Sequence, residues 1–475
     1  MGYINMKKFN KEKYLKKLRF KKYKRYLYIG IPCILVLLIG IYFAYSKFSV
    51  SKEEDVVRTT VGDFIYGDIV VGAYVDGEYS KTIPGKNDGY IVDKIVCDND
   101  ATASWDNDSW GIIVTNLTKR TKCNVYFRKT TLTEAITTAV SSNPSMFASD
   151  DVDNNVRYIG ANPSNYVYFN CSDYNNQTAD TCELWRIIGV FNNVTKSNGK
   201  KENLVKIIRA DSLGDYSWDY KMDGVGSSTN YGSNDWSDSQ LMMMLNPTNY
   251  LKSGYTNSSD IISSGSQQLY SKMGSYYNGT KGCEPAEIAS GATFSCTEVD
   301  FTSTGLKNDV TRNAIEEVVW NLGGSSTYND VTPSMFYERE RGTTVYTGRP
   351  TIWIGKIGLM YASDYGYATS GGTSKDRTAC LAKELWNWNF PDFSDCYESD
   401  YLYNSSLDQW TLTSSSTRDA VFSVLPYIAV RGCGGDVKTQ AAAKPFALRP
   451  ALFLKSDIKV KSGTGESSSP YQLSF

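Results

Sequence analysis

The stretch ALRPALFLKSDI (447–458) is an apolar run interrupted by a charge and an imino acid. In a strand, successive side chains alternate between faces, which puts Arg449 on the face of Ala451 and Phe453. A guanidinium on an apolar face needs partners, so the pattern predicts a carboxylate or several carbonyls packed on Arg449. Pro450 has no N–H and belongs at a bulge, a strand end or an edge. Read this way, the stretch is the closing strand of a C-terminal domain. The lone Cys433 in VRGCGG just before it raises the alternative of a catalytic site, but no second thiol stands nearby to support one.

Residues 156–475 carry the pattern of one α+β domain with long polar loops. YVYFNC, LWRIIGVF, LVKIIRA, KIGLMY, DQWTLTS, AVFSVL, YIAVRG and FALRPALFLK read as strands. Helices are predicted in WSDSQLMMMLN, where Ser237 and Gln240 have capping-box spacing, in DVTRNAIEEVVWNLGG and in CLAKELWNWN. The segment 131–155 reads as a short helix, opened by Thr131 and Glu134 in the same spacing, followed by a turn-rich connector. Asp151, Asp153 and Asn155 have the start of a calcium-loop rhythm. Val156 stands where that loop needs glycine, so an EF-hand is excluded.

Residues 61–130 have the short strands of a small β-sandwich stalk domain, with Asp76-Gly77 as a hairpin turn. Before it, residues 46–60 read as a charged linker. Residues 26–45 (YLYIGIPCILVLLIGIYFAY) contain no charge. Twenty helical residues span about 30 Å, the thickness of a bilayer core, so this segment predicts a single transmembrane helix. Residues 1–25 hold eleven Lys or Arg against one acid, Glu12, which predicts a cytoplasmic tail and an extracellular remainder, 47–475. The competing reading is a signal peptide cleaved near Ala44-Tyr45-Ser46.

The cysteines fit an oxidising exterior. Eight fall into sequence neighbours: Cys97 with Cys123, Cys171 with Cys182, Cys283 with Cys296, and Cys380 with Cys396. Sequence does not fix connectivity, and free thiols are the alternative. Without a C-x-x-C pair or any histidine, no metal site and no cofactor is expected.

The order of short motifs supplies a resemblance. Trp185-Arg186-Ile187-Ile188 comes first, then Asp235-Trp236-Ser237-Asp238-Ser239-Gln240-Leu241 before Leu245-Asn246. Gly358-Leu359-Met360-Tyr361 precedes Asp364-Tyr365-Gly366, and Trp410-Thr411-Leu412-Thr413 leads to Leu448-Arg449-Pro450-Ala451-Leu452. Over 156–475 this resembles a family of surface and secreted domains of Gram-positive gut bacteria with a terminal R-P-A-L motif. That family looks distantly like the C-type lectin-like fold shared with formylglycine-generating enzymes. The resemblance implies a C-type lectin-like α+β surface domain. It departs from the family in Leu448, where valine is usual, and in the lack of an arginine just after Trp410. The oxidase branch needs paired active-site cysteines, and Cys433 is the one spare thiol here.

Function is bounded mainly by exclusion. The chain has 475 residues, a net charge of −1 and no histidine. That removes Ser-His-Asp, Cys-His and His-zinc chemistry. The basic tail is assigned to topology and anionic lipid, so no nucleic-acid partner is expected. The 35 Tyr and 10 Trp, with abundant Ser, Gly and Asn, suit an adaptable contact surface for glycans or surface proteins. The candidate ligand-binding residues are Asp364, Tyr365 and Tyr367 in SDYGYATSGG, and Trp386, Trp388 and Asp392 in LWNWNFPDF. Trp185, Trp410 and Arg449 are assigned structural roles. A membrane-anchored binding or adhesion module, not an enzyme, is the first expectation. A structural envelope protein without small ligand is the second. A glycosidase built from acids such as Asp364, Glu384, Asp392 and Asp395 is the third.

Overall fold

The computed structural model describes residues 57–58, 69–86, 88–116, 119–219, 232–246, 281–284, 297–300, 305–426 and 435–475. The expected basic tail at 1–25 and membrane helix at 26–45 lie outside the described residues, as do Cys296 and Cys433. Among the described residues no helix is long and apolar enough to cross a membrane. Among the described residues strand outweighs helix, 38% against 18%. The chain divides into two compact units, Met1–Arg128 and Lys129–Phe475.

In the first unit two sheets enclose one apolar cluster of Ala73, Ile112, Val114, Cys123, Val125 and Phe127. One sheet runs Glu78–Ser80, Ile69–Val75, Thr121–Lys129, Tyr90–Cys97; the other runs Val57–Arg58, Gly111–Thr115, Thr102–Asp106. Asp76 and Gly77 both take positive φ (50° and 91°), the conformation a two-residue hairpin of this hand needs. Cys97 and Cys123 are bonded, tying two neighbouring strands of the first sheet. Val57–Arg58 pairs in parallel with Gly111–Thr115, so the end of the expected 46–60 linker already belongs to a sheet.

The second unit starts earlier than expected. Thr131 caps the helix Leu132–Ser142 with the reciprocal Glu134 contact the spacing predicts. Leu132 and Ile136 of that helix are buried in the main core, so 131–155 is part of the larger unit and not a connector ahead of it. A seven-stranded sheet is ordered Ile357–Gly358, Ala451–Phe453, Lys201–Arg209, Glu183–Thr195, Val156–Tyr158, Phe147–Ala148, with Tyr166–Phe169 also paired to Glu183–Thr195. Its centre is the long antiparallel hairpin Glu183–Thr195 with Lys201–Arg209, interrupted by register shifts between Ile187 and Gly189 and between Phe191 and Val194. A six-stranded sheet holds Asp215–Ser217, Pro445–Ala447, Gln409–Ser415, Ala420–Val424 and Val437–Ala441, with Gly324–Ser325 beside Gln409–Ser415.

The opening stretch is therefore not one strand. Pro445–Ala447 belongs to the six-stranded sheet and Ala451–Phe453 to the seven-stranded one. Leu448-Arg449-Pro450 is the corner between them. The Pro450 carbonyl accepts from the Arg209 N–H at 2.9 Å, so the imino acid costs the ladder nothing. Arg449 is 6% exposed, and its partners are oxygens of carbonyl type. It donates to Arg209 O (2.9 Å), Leu402 O (3.2 Å) and Gln409 Oε1 (2.7 Å). Burial, with Arg186 nearby, lowers its pKa to about 10.

Two expected helices are shorter than their patterns. DVTRNA is helical (Asp309–Ala314), but Val318–Asn321 is a strand paired with Ile352–Gly355. The run Val318-Val319-Trp320 is β-branched and aromatic, and pairing overrides its helical spacing. CLAKELWNWN splits into the helix Arg377–Leu381 and the 3-10 turn Leu385–Asn389. Conversely SDYGYATSGG, which carries no expected helix or strand, starts inside the helix Ala362–Ala368, all seven residues of which are buried.

Cys171–Cys182 and Cys380–Cys396 are disulfides. Cys283 lies in the hairpin of Lys281–Glu284 with Thr297–Asp300, and its expected partner Cys296 is outside the described residues.

Candidate functional site

One row across the seven-stranded sheet builds the site. Arg157 pairs with Gly189, Gly189 with Lys206, and Lys206 with Phe453. Residues directly opposite one another share a sheet face, so two cations and a ring project together, separated by a glycine. Gly189 is required there. A Cβ at this position would sit 2.2 Å from the Val156 carbonyl oxygen.

The helix Ala362–Ala368 brings Asp364 against this row. Its carboxylate accepts from Arg157 Nη1 at 2.9 Å, from Lys206 Nζ at 2.5 Å and from the Tyr361 N–H at 2.9 Å. Asp151 accepts from Arg157 Nε at 2.6 Å and from the Asn155 backbone and side chain. The Asp-x-Asp-x-Asn run that resembles a calcium loop thus holds a guanidinium. Asn155 also donates to Tyr337 Oη, which donates to Asp153. Arg157, Lys206, Asp151 and Asp364 are essentially out of solvent.

Electrostatics follow from that burial. Lys206 and Arg157 hold Asp364 down to about 2, against the opposing effect of burial. Burial lowers Lys206 in turn. Glu340, at the end of the helix Pro333–Glu340, lies beside this cluster and is fully buried. It accepts from the Ser363 N–H (3.1 Å), the Ser363 hydroxyl and the Thr413 hydroxyl (2.7 Å). Burial nevertheless pushes it up to about 7.

Above the cluster the second bulge of the long hairpin opens a recess of about 130 Å³. Bulges commonly re-aim side chains next to binding sites, and here Asn193 is held at φ 53°. Phe191, Trp320, Tyr361 and Phe453 form its base; Asn192, Asn193, Thr195, Asn321, Arg341 and Asp153 line its rim. Arg341 lies on the Tyr337 ring at 3.3 Å and is 3.8 Å from Asp153. The Asn192 amide is committed, donating to the carbonyls of Asp153 and Asn154.

The residues singled out by sequence fall differently. Asp364, Tyr365 and Tyr367 are buried (1%, 0% and 2% exposed), which corrects their reading as a ligand-binding loop. Apolar neighbours fill the helix environment, and Tyr365 donates to Gly435 O at 2.7 Å. Trp388 is also core, donating to Cys380 O. Trp386 is half-buried, edge-on to Tyr328 at 4.8 Å with Lys438 Nζ 4.2 Å above it. Asp392 is exposed in the turn Pro391–Phe393. Trp185 and Trp410 are core, each with its indole N–H engaged, to Glu183 and to Tyr216 O.

Of the acids offered for glycosidase chemistry, Asp392 is exposed and the other three are engaged separately. Glu384 accepts from Asn387, Asp395 from the N–H groups of Ser374 and Lys375, and Asp364 from the buried cations. Among the described residues no group of three or more His, Cys, Asp or Glu is placed to hold a metal ion. Sequence reading missed Arg157, Lys206, Glu340 and the recess. Lys206 did carry a signal: a lysine inside the apolar strand LVKII poses the same question as Arg449.

No family model, curated protein or solved structure matches the chain.

Proposed function

We propose that the chain is a membrane-tethered extracellular binding module that takes a single sugar residue of a glycan in the recess at the bulged end of the long hairpin. The observation that carries this reading is the recess itself, an aromatic base beneath a rim of amide, hydroxyl, carboxylate and guanidinium groups. At roughly 30 Å³ per water in the liquid, the space of about 130 Å³ holds about four waters, so a pyranose ring seats in it with part of the ring left in solvent. Ring faces suit the apolar C–H surface of a sugar, and side-chain amides such as Asn321 suit its hydroxyls. The tether rests on the uncharged run 26–45 behind a basic tail, and the exterior location on the paired cysteines. The C-type lectin-like identity of the larger unit belongs to the same proposal and rests on the order of its short motifs.

The test is a glycan array probed with the detergent-solubilised full chain, followed by calorimetric titration of the best binder. Saturable binding that falls at least tenfold in Asn321→Ala and Arg341→Ala, and persists in Trp386→Ala, supports the recess. Absence of binding to every glycan refutes the proposal. Loss confined to Trp386→Ala refutes the recess in favour of the Tyr328–Trp386 surface.

A further inference from the structure

The Lys206–Asp364 contact is more than its description as an ion pair explains. Nζ stands in direct hydrogen-bond contact with Oδ2, at 2.5 Å. The two side chains are 0% and 1% exposed. Rings surround the amine, with Nζ 4.4 Å from the centroid of Tyr361, 5.2 Å from Trp320, 5.5 Å from Phe191 and 5.6 Å from Phe453. An ammonium has three N–H donors. Asp364 is the one hydrogen-bond acceptor this one reaches among the described residues, and ring faces meet the rest. A buried ammonium with one hydrogen-bond acceptor and only ring faces for its other donors is costly. An amide at the same place has one N–H and no charge.

We propose that Lys206 and Asp364 are joined in the mature protein by an intramolecular isopeptide bond, Nζ to Cγ, formed with loss of one water. The geometry suits the reaction. A nitrogen hydrogen-bonded to one carboxylate oxygen lies about 3–3.5 Å from the carboxyl carbon, which is near-attack range. The other oxygen, Oδ1, is held by Arg157 Nη1 at 2.9 Å, and Arg157 is itself fixed by Asp151. A guanidinium does not give up its proton in a protein, so it stabilises negative charge developing on Oδ1.

The step balances without an oxidant or co-reactant. One proton passes from the ammonium to Oδ2, giving a neutral amine and a carboxylic acid. The nitrogen lone pair attacks Cγ and the C=O electrons move to Oδ1, beside Arg157. A second proton follows from nitrogen to the Oδ2 hydroxyl, which leaves as water while the C=O re-forms. One N–H remains on the new amide. The adjoining recess, whose wall includes Lys206, receives the water. Only the minor neutral tautomer reacts, so the bond forms slowly after folding. It joins the strand Lys201–Arg209 at the centre of the large sheet to the helix Ala362–Ala368, across 158 positions of sequence.

The test is peptide mass spectrometry on the full chain after unfolding, reduction, alkylation and trypsin digestion. A bonded Lys206 resists cleavage, and the digest yields a branched species made of residues 202–209 and 357–375 with the summed mass less one water. That species, as the major form of both segments, is the expected result, and it disappears in Lys206→Arg. Recovery of 202–206 and 357–375 as separate unmodified peptides at full abundance overturns the proposal and leaves a plain ion pair. The wild-type digest decides the matter whether or not the variant folds.

Discussion

Glu340 offers a test of how the buried cluster is powered. The folded state raises its pKa from 4.5 to about 7, chiefly by burial. The folded protein thus prefers the neutral acid. Its contribution to stability is fully present below pH 4.5 and is lost as pH rises through about 7. The distance between those values corresponds to about 3 kcal/mol at most. Glu340→Gln removes the titration and keeps the shape. The amide oxygen can still accept from the Ser363 N–H and the Thr413 hydroxyl, while the amide nitrogen faces the Ser363 hydroxyl oxygen. Other buried acids, Asp400 and Asp436 among them, are raised too and tilt the wild-type curve in the same direction. The difference between the two proteins isolates Glu340. The assay is urea unfolding of wild type and Glu340→Gln at fixed pH values from 5 to 8 under oxidising conditions. The variant's stability relative to wild type is expected to rise by about 2–3 kcal/mol across that range. Parallel curves, or a wild type that gains on the variant at pH 8, would refute the assignment of a neutral buried acid.

Other perturbations follow from single contacts. Arg449→Ala strands the oxygens of Arg209, Leu402 and Gln409 in a buried corner and is expected to cost about 3 kcal/mol or more, read as a lower urea midpoint. Gly189→Ala drives a methyl into the Val156 carbonyl and is expected to prevent normal expression of the folded chain, whereas an exposed glycine with open space around it, Gly199, tolerates substitution far better despite its positive φ. Trp388→Ala is expected to cost about 3–5 kcal/mol and Trp386→Ala much less, by calorimetry, because the first is core and the second is half-exposed. Opening the Cys380–Cys396 loop, whose ends are 16 positions apart, by a double Ser substitution should cost about 3 kcal/mol, measured against wild type without reductant.

What the sequence revealed was local. The Thr131–Glu134 cap, the Asp76-Gly77 turn and the three cysteine pairings among described residues are short-range chemistry, and each is legible from spacing. The burial of Arg449 was legible because a charge in an apolar strand has few explanations. What failed was long-range. SDYGYATSGG looks polar enough for a surface loop, yet its acid is consumed by Arg157 and Lys206, 207 and 158 positions away, and its tyrosines by the core. Val318-Val319-Trp320 has helical spacing but finds a strand partner thirty-odd positions on. The recess arises from a register shift, and no residue type marks a shift in advance.

The corner at Leu448-Arg449-Pro450 also bears on the order of events during biogenesis. The residues after it reach back across nearly the whole unit: Ile458 O accepts from Leu132, Val460 donates to Thr130 O, and Tyr471 O accepts from Tyr168. Both large sheets wait on the segment 445–453 for a strand each. A chain emerging N-terminus first therefore holds its hairpin with an open edge until this segment arrives. During that interval the half-built sheet is a target for holdases, and a ribosome stalled short of residue 445 would release a product fit only for degradation.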